Sequence, residues 1–235
     1  MITWRRGKIN NKIINDSSYF LKGTLLAKNS EREYIIPFGA IDSNIEIAGE
    51  KLISEMIERA TWFKLYSENP QKYPNTIGFS AHKDLQDAII NSKLEVIERD
   101  ILHKIFIDKS DRVYANCYSI FEYKSFLILI LEIQILEINY YITISIREIC
   151  TARSKGISIG LGKNIDIISS IQSALDENYL IKTALMNYHS GPSQSGYRNM
   201  GYRDLIYFEK IFKSFNKNDL FELIDTIHFE KKKYY

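Results

Sequence analysis

The sequence contains one internal duplication, and its pattern is helical. Ala48 is followed after six residues by Glu55-Met56-Ile57-Glu58-Arg59, and 40 residues later Ala88 is followed after six by Glu95-Val96-Ile97-Glu98-Arg99. Ala48, Leu52, Ile53, Met56, Ile57 and Ala60 recur at helical spacing and predict a helix from about Ile45 to Trp62. Ala88, Ile90, Leu94, Ile97 and Ile101 predict a second from about Leu85 to Phe106. Residues three and four apart share a helix face, so Glu55, Glu58 and Arg59 project together, as do Glu95, Glu98 and Arg99. The small Ala two turns earlier leaves room for close approach. A helical repeat array is excluded, because the next step puts Ile128, Ile135, Ile138 and Asn139 where Ala, Glu, Glu and Arg are required.

The rest of the chain frames these helices. Residues 1 to about 45 read as short strands and turns, with Tyr34-Ile35-Ile36 a strand followed by Pro37-Phe38-Gly39-Ala40. A polar linker with two prolines, Glu68 to Pro74, separates the two helices. Between residues 112 and 147 the apolar residues alternate, most cleanly in Ile142-Thr143-Ile144-Ser145-Ile146-Arg147, which predicts half-buried antiparallel strands with one face on a core. Gly156 to Gly162 reads as a turn region feeding a third helix from about Ile167 to Met186. A polar loop, Ser190 to Gly196, precedes helices near Tyr202 to Phe215 and Leu220 to Ile227. The fold class is α+β.

Composition narrows the function. Of 235 residues, 45% are hydrophobic and 13% aromatic, too many for a disordered chain. Lys and Arg number 31 against 29 Asp and Glu, so the chain lacks the strongly basic stripe expected of a nucleic-acid binder. Its one dense basic run, Lys231-Lys232-Lys233, reads as a solvated tail. Two cysteines, Cys117 and Cys150, fit neither a disulfide scaffold nor a Cys-rich metal site, and are expected to be small core residues in a reducing, cytoplasmic setting. No apolar stretch of signal-peptide type follows Met1, and the apolar run Phe126 to Leu131 is stopped by Glu132, so neither secretion nor a membrane partner is expected. His82, His103, His189 and His228 show no metal-ligand spacing. Tyr197, Tyr202 and Tyr207 around Arg198 and Arg203 are compatible with a peptide or nucleic-acid surface and equally with core packing.

For the duplicated faces two readings stand side by side. Each copy is explained as an exposed helix with a Glu–Arg pair four apart, worth a few tenths of a kcal/mol. Alternatively the two faces meet and hold cations. Four clustered carboxylates repel, and at least one stays protonated unless a compensating charge is present. Arg59 and Arg99 supply part of it. Hard divalent ions with oxygen ligands, Mg2+ above all, supply the rest and complete their shells with phosphates and water. No GxxxxGK[ST] run occurs, which removes the P-loop fold.

Three stretches together resemble the YcaO-type ATP-dependent enzymes. Gly78-Phe79-Ser80-Ala81-His82-Lys83-Asp84-Leu85-Gln86-Asp87-Ala88, running into Leu94-Glu95-Val96-Ile97-Glu98-Arg99-Asp100, is similar to that family's Gly-rich turn and L-x-x-[IV]-E-R-D helix. Gly39-Ala40-Ile41-Asp42 through Arg59 resembles its first E-x-x-E-R helix, and Gly160-Leu161-Gly162-Lys163-Asn164-Ile165-Asp166 through Ala174 to Glu177 its G-x-G-x-x-x-D…A-x-x-E segment. The motifs keep the family's order from residue 39 to about 182.

The resemblance implies one YcaO-like domain over residues 1–235, with helices packed on antiparallel sheets. It also implies ATP and Mg2+ as cofactors. Glu55, Glu58, Glu95 and Glu98 take metal roles, and Arg59, Arg99, Glu177 and Lys182 join them around the nucleotide. No catalytic residue is assigned. The implied activity is phosphorylation of a peptide backbone amide: a nucleophile adds to the carbonyl, the resulting oxyanion attacks the γ-phosphate, and phosphate departs. A Cys, Ser or Thr nucleophile of a precursor peptide gives an azoline, whereas external sulfide gives a thioamide. Implied partners are the precursor peptide of a bacteriocin-like pathway, an E1-like leader-binding protein and a flavin dehydrogenase of the same complex. The chain departs from the family pattern at Leu180 and Lys182, where Gln and Arg are usual, at Ile77 for Asn, and at His82 for Gly. It is also shorter than most members, which makes a non-catalytic scaffold subunit the competing expectation.

Overall fold

The computed structural model describes residues 2–11, 16–28, 33–72, 76–109, 112–150, 155–190, 211, 215, 217–230 and 233–234. Up to Val96 the chain forms one compact unit and from Ile97 another. The first is built on an antiparallel sheet in the order β1 (Ile2–Asn11), β2 (Asp16–Lys28), β3 (Glu33–Asp42). These strands are longer than the short strands and turns expected. Tyr34-Ile35-Ile36 is only the start of β3, which runs through Pro37 to Asp42 in register with β2. Pro37 is tolerated because β3 lies at the sheet edge, where a missing donor does not break an inner ladder.

Helix α1 (Ile45–Glu68) starts where the Asn44 side chain accepts from the backbone N–H of Glu46 at 2.8 Å and Ile47 at 3.4 Å, an N-cap with an acid in the first turn. It packs on β2 and β3. Leu21, Phe38, Ala40, Ala48 and Leu52 form one buried cluster, and Tyr34, Ile36, Trp62 and Phe63 a second. The second cluster carries α1 past the predicted end at Trp62. The Phe63 ring meets Tyr34 edge-on with centroids 5.1 Å apart. The helix closes when Asn69 N–H donates to Leu65 O at 2.9 Å, one residue before Pro70.

Helix α2 (Leu85–His103) is capped by Asp84, whose Oδ1 accepts from Gln86 N at 2.7 Å and Asp87 N at 3.2 Å. Its expected end at Phe106 is replaced by a π-helical turn, Lys104–Asp108, that carries buried Ile105 and Phe106 and closes at Lys109 with φ 49°.

The second unit holds β4 (Arg112–Val113) and an antiparallel run of β5 (Asn116–Tyr123), β6 (Phe126–Ile135), β7 (Ile138–Cys150) and β8 (Lys155–Asn164). The alternation in residues 112–147 predicts strands with one wet face. Instead Phe126 to Leu131 of β6 and Ile142 to Ile146 of β7 are buried at consecutive positions, so both faces of the central strands are covered. Cys150 is exposed at the end of β7 rather than in the core, and Cys117 is half-buried in β5.

Gly156 to Gly162 is strand β8, not a turn. The reason lies in α3 (Ile167–Ser190), which begins at Asp166, acceptor for Ser169 N at 2.8 Å, and lies directly on β8 and β7. A Cβ on Gly160 would run into Ala174 O and the Asn178 backbone, and one on Gly162 into Ser170 O. Only glycine admits the helix at that separation. Ser170, Ala174 and Asn178, four apart, form the contacting face. Buried Asn178 donates to Ser145 O at 2.8 Å and Ser158 O at 3.0 Å and accepts from Ser158 Oγ at 2.7 Å. Ser145 Oγ donates to Ala174 O at 2.8 Å, and the Ser170 and Thr143 hydroxyls are 2.8 Å apart. A buried polar layer with its partners in place fixes the register of helix on sheet.

Helix α4 (Lys217–Thr226) matches the last predicted helix closely. Strand β9 (His228–Phe229) then pairs with β4, and β10 (Lys233–Tyr234) adds in parallel to Gln134 and Ile135 of β6. The backbone of Lys233 is therefore part of a sheet, not of a free tail. The expected loop beyond Ser190, the helix near Tyr202 to Phe215 and the surface around Tyr197, Arg198, Tyr202, Arg203 and Tyr207 lie outside the described residues, apart from Ile211 and Phe215. Among the described residues no helix is long and apolar enough to cross a membrane.

Candidate functional site

The duplicated motif folds twice as helix but acquires two different environments. In the first unit Arg59 Nε donates to Glu55 Oε1 at 2.8 Å, the four-apart pair anticipated from spacing. Arg59 Nη1 also reaches Thr76 Oγ1 at 3.4 Å. Glu58 turns to the segment before α2, where its Oε1 accepts from Ala81 N at 2.7 Å. Glu95 does the same from α2, its Oε2 accepting from Gly78 N at 3.2 Å, while Ser92 Oγ donates to Gly78 O at 2.6 Å. Two carboxylates from two helices thus grip one short segment, Thr76 to Ala81.

Glu58 is held well above the usual carboxylate range, at about 7. Burial is the main cause; the Ala81 N–H opposes it, the Glu55 and Glu95 carboxylates add to it, and the Arg59 guanidinium pulls back. Around this group negative charge therefore outweighs what Arg59 offsets.

In the second unit Glu98 is buried, 5% exposed, whereas its counterpart Glu58 is half-buried. Arg99 is placed between two carboxyls. Its Nε lies 4.0 Å from Glu98 Oε1 and its Nη2 3.9 Å from Glu177 Oε1 on α3. Glu177 Oε2 accepts from Leu161 N at 2.8 Å in β8. This carboxyl is also raised to about 7, chiefly by burial, with Arg99 opposing, Glu98 reinforcing, and the Leu161 N–H and Lys163 opposing more weakly. Lys182, further along α3, sits near Arg147, and burial together with that like charge pulls its ammonium pKa down.

The structure brings Glu55, Glu58, Arg59 and Glu95 together in the first unit, and Glu98, Arg99 and Glu177 in the second. Among the described residues no three His, Cys, Asp or Glu side chains are placed to ligate one ion, because the carboxyls engage backbone N–H groups and arginines. The donor set nevertheless suits a hard divalent cation: carboxylates only, crowded and partly desolvated, with more negative charge around Glu58 than Arg59 offsets. Sequence reasoning missed the amides of Gly78, Ala81 and Leu161 and the Ser92 hydroxyl. Only Gly78, a glycine at φ 83°, leaves a trace in the sequence.

Both units combine helices with antiparallel sheet, an α+β architecture. No protein-family model matches the sequence, and no curated protein does. Solved structures do. The chain matches the microcin synthetase McbBCD complex of E. coli over 88% of its own length and 74% of that chain, with TM-score 0.56 and 13% identity. It matches YcaO from Methanopyrus kandleri, solved bound with AMPPCP and Mg2+, over 95% of its own length and 76% of that chain, with TM-score 0.52 and 12% identity. The chain has the YcaO-like α+β fold.

Proposed function

We propose that this chain is an ATP- and Mg2+-dependent enzyme of YcaO type that activates a peptide backbone amide by phosphorylation, and that its reaction is cyclodehydration of Cys, Ser or Thr to azolines. One observation carries the reading. Each unit holds a carboxyl raised to about 7 by burial: at Glu58 the neighbouring Glu55 and Glu95 carboxylates add to the rise, and at Glu177 burial prevails although Arg99 opposes it more than Glu98 adds to it. A fold alone has no use for that arrangement, whereas a divalent cation relieves it. The neighbour from M. kandleri, bound with AMPPCP and Mg2+, supports the same ligand pair here.

Bound Mg-ATP supplies the phosphoryl group and a Lewis acid on its oxygens. The chain supplies position and charge. Glu55, Glu58, Glu95 and Glu98 are the proposed metal ligands, which requires Glu58 to lose its proton. Arg99 and Arg59 hold the anionic phosphates, while Glu177 orients Arg99. Lys182, its charge disfavoured, has the weaker claim to a phosphate. The McbBCD complex as neighbour supports action with partner proteins that deliver the precursor peptide.

Calorimetric titration of the full chain with Mg-ATP tests the reading. Binding is expected to need Mg2+ and to be lost in Glu95→Gln and Glu98→Gln while far-UV circular dichroism is kept. A chain that, with partner and peptide present, neither binds nor turns over ATP refutes it. A second reading, a non-catalytic binding subunit, is favoured by the engagement of Glu58 and Glu95 with backbone amides in place of a ligand cluster. The same titration separates the two: clear Mg-ATP binding favours the enzyme, and a folded chain that binds none favours the subunit. Mass spectrometry of the peptide separates ring formation, which loses water, from thioamide formation, which exchanges oxygen for sulfur.

A further inference from the structure

Between the Pro-containing linker and α2 lies a segment, Thr76 to Ala81, that stands outside the duplicated Glu-x-Ile-Glu-Arg pattern. It is held at four points, one through a side chain and three through its backbone. Thr76 Oγ1 meets Arg59, Gly78 N donates to Glu95, Gly78 O accepts from Ser92, and Ala81 N donates to Glu58. Gly78 has φ 83°, a conformation that side chains other than glycine rarely adopt, and it directs N–H to one α2 side chain and C=O to another a turn earlier. A Cβ there would also press on Val96 Cγ2 at 3.3 Å.

We propose that Thr76 to Ala81 is a positioning element for the metal-binding carboxylates, with the Gly78 and Ala81 amides acting as fixed donors that orient Glu95 and Glu58. The inference rests on the Mg2+ reading above and assigns the segment a part in it. A long carboxylate side chain has several accessible rotamers. A backbone N–H bonded to one oxygen fixes the plane of the carboxyl group and so the direction of its second oxygen. Mg2+ requires near-octahedral ligands at about 2.0–2.1 Å, so pre-set carboxyls bind it more tightly than free ones. Donors that orient metal ligands are typically worth about 10–100-fold in affinity. Ser92 is a positioning residue one step further out, since it holds Gly78 and not the carboxylate.

The test is calorimetric titration of wild type, Gly78→Ala, Ser92→Ala and Ser92→Thr with Mg2+ in the presence of AMPPCP, with amide exchange at residues 78 and 81 and melting in EDTA measured alongside. The expected result is at least tenfold weaker Mg2+ binding in Gly78→Ala, a smaller loss in Ser92→Ala that Ser92→Thr restores, and faster exchange at Gly78 in both weakened variants. A purely structural role would lower the melting temperature and leave the affinity of the folded protein alone. Wild-type binding with both variants within twofold of it overturns the positioning role and leaves the Mg2+ reading standing. No wild-type binding overturns both. If Gly78→Ala does not fold, the Ser92 pair decides.

Discussion

Raising the pH from 5.5 to 8 in EDTA should destabilise this protein, the reverse of what ordinary surface carboxylates produce. Glu58 and Glu177 both sit at about 7 in the folded chain against 4.5 for the unexposed-to-structure reference. A raised folded pKa means the native state holds its proton more tightly than the unfolded state. That stabilisation is complete below about pH 4.5 and is lost as pH rises through 7. At pH 5.5 each group still contributes at most about 2 kcal/mol, less whatever solvent screens, and at pH 8 almost nothing, so the pair removes up to about 4 kcal/mol over the interval. For a chain this long the loss corresponds to roughly 8 °C in melting temperature. Chemical denaturation at intervals of half a pH unit reads it directly. Glu58→Gln should remove about half of the slope, because the amide has no proton to lose. In the wild type, saturating Mg2+ with AMPPCP should remove the Glu58 share in the same way, since the cation takes over from its proton, and the affinity of that pair should rise up to about tenfold between pH 6 and pH 8. Stability that is level or rising across the interval, or a slope that Glu58→Gln leaves intact, would show that these carboxyls are not strained and would remove the main support for the cation site.

Two further substitutions probe the scaffold. Gly160→Ala places a methyl group against the backbone of α3 and is expected to cost at least about 3 kcal/mol, read as a fall in the denaturation midpoint, because backbone cannot give way as a flexible side chain can. Glu137→Gly should do the opposite. Leu136 and Glu137 form the two-residue β6–β7 turn at φ 50° and 66°, and relieving one of them should raise stability by about 0.5–1 kcal/mol, seen as a higher midpoint at unchanged denaturant slope.

These residues also show why parts of the fold were legible in the sequence and others were not. The helix starts were legible because local chemistry sets them: Asn44, Asp84 and Asp166 cap helices whose apolar period begins at the next turn. Strand β8 read as a turn because Gly160 and Gly162 carry no β-propensity, and their reason for being glycine is α3, a partner that local sequence does not reveal. The β6–β7 turn has neither Gly nor Asn, so nothing announced it, and the long pairing of Phe126–Ile135 with Ile138–Arg147 holds two residues in a conformation they disfavour. At the site the carboxylates were legible because side chains at fixed spacing carry the signal. The amides that hold them were not, since a backbone N–H has no residue identity.

The same distinction bears on the duplication. Two copies of Glu-x-Ile-Glu-Arg suggested one face used twice, yet Ile57 is 47% exposed while Ile97 is buried, and Arg59 pairs within its own helix while Arg99 lies between Glu98 and Glu177. Equivalent spacing therefore did not produce equivalent surroundings. Glu98 is nearly fully buried whereas the Glu55 side chain is 28% exposed, and a charge shielded from water interacts more strongly with a neighbouring cation. On that argument the Arg99 copy should be the more sensitive of the two to Mg2+, and the loss of binding in Glu98→Gln should exceed that in Glu55→Gln when both are titrated under the same conditions. Equal losses would mean that burial of the carboxylate does not set its hold on the cation.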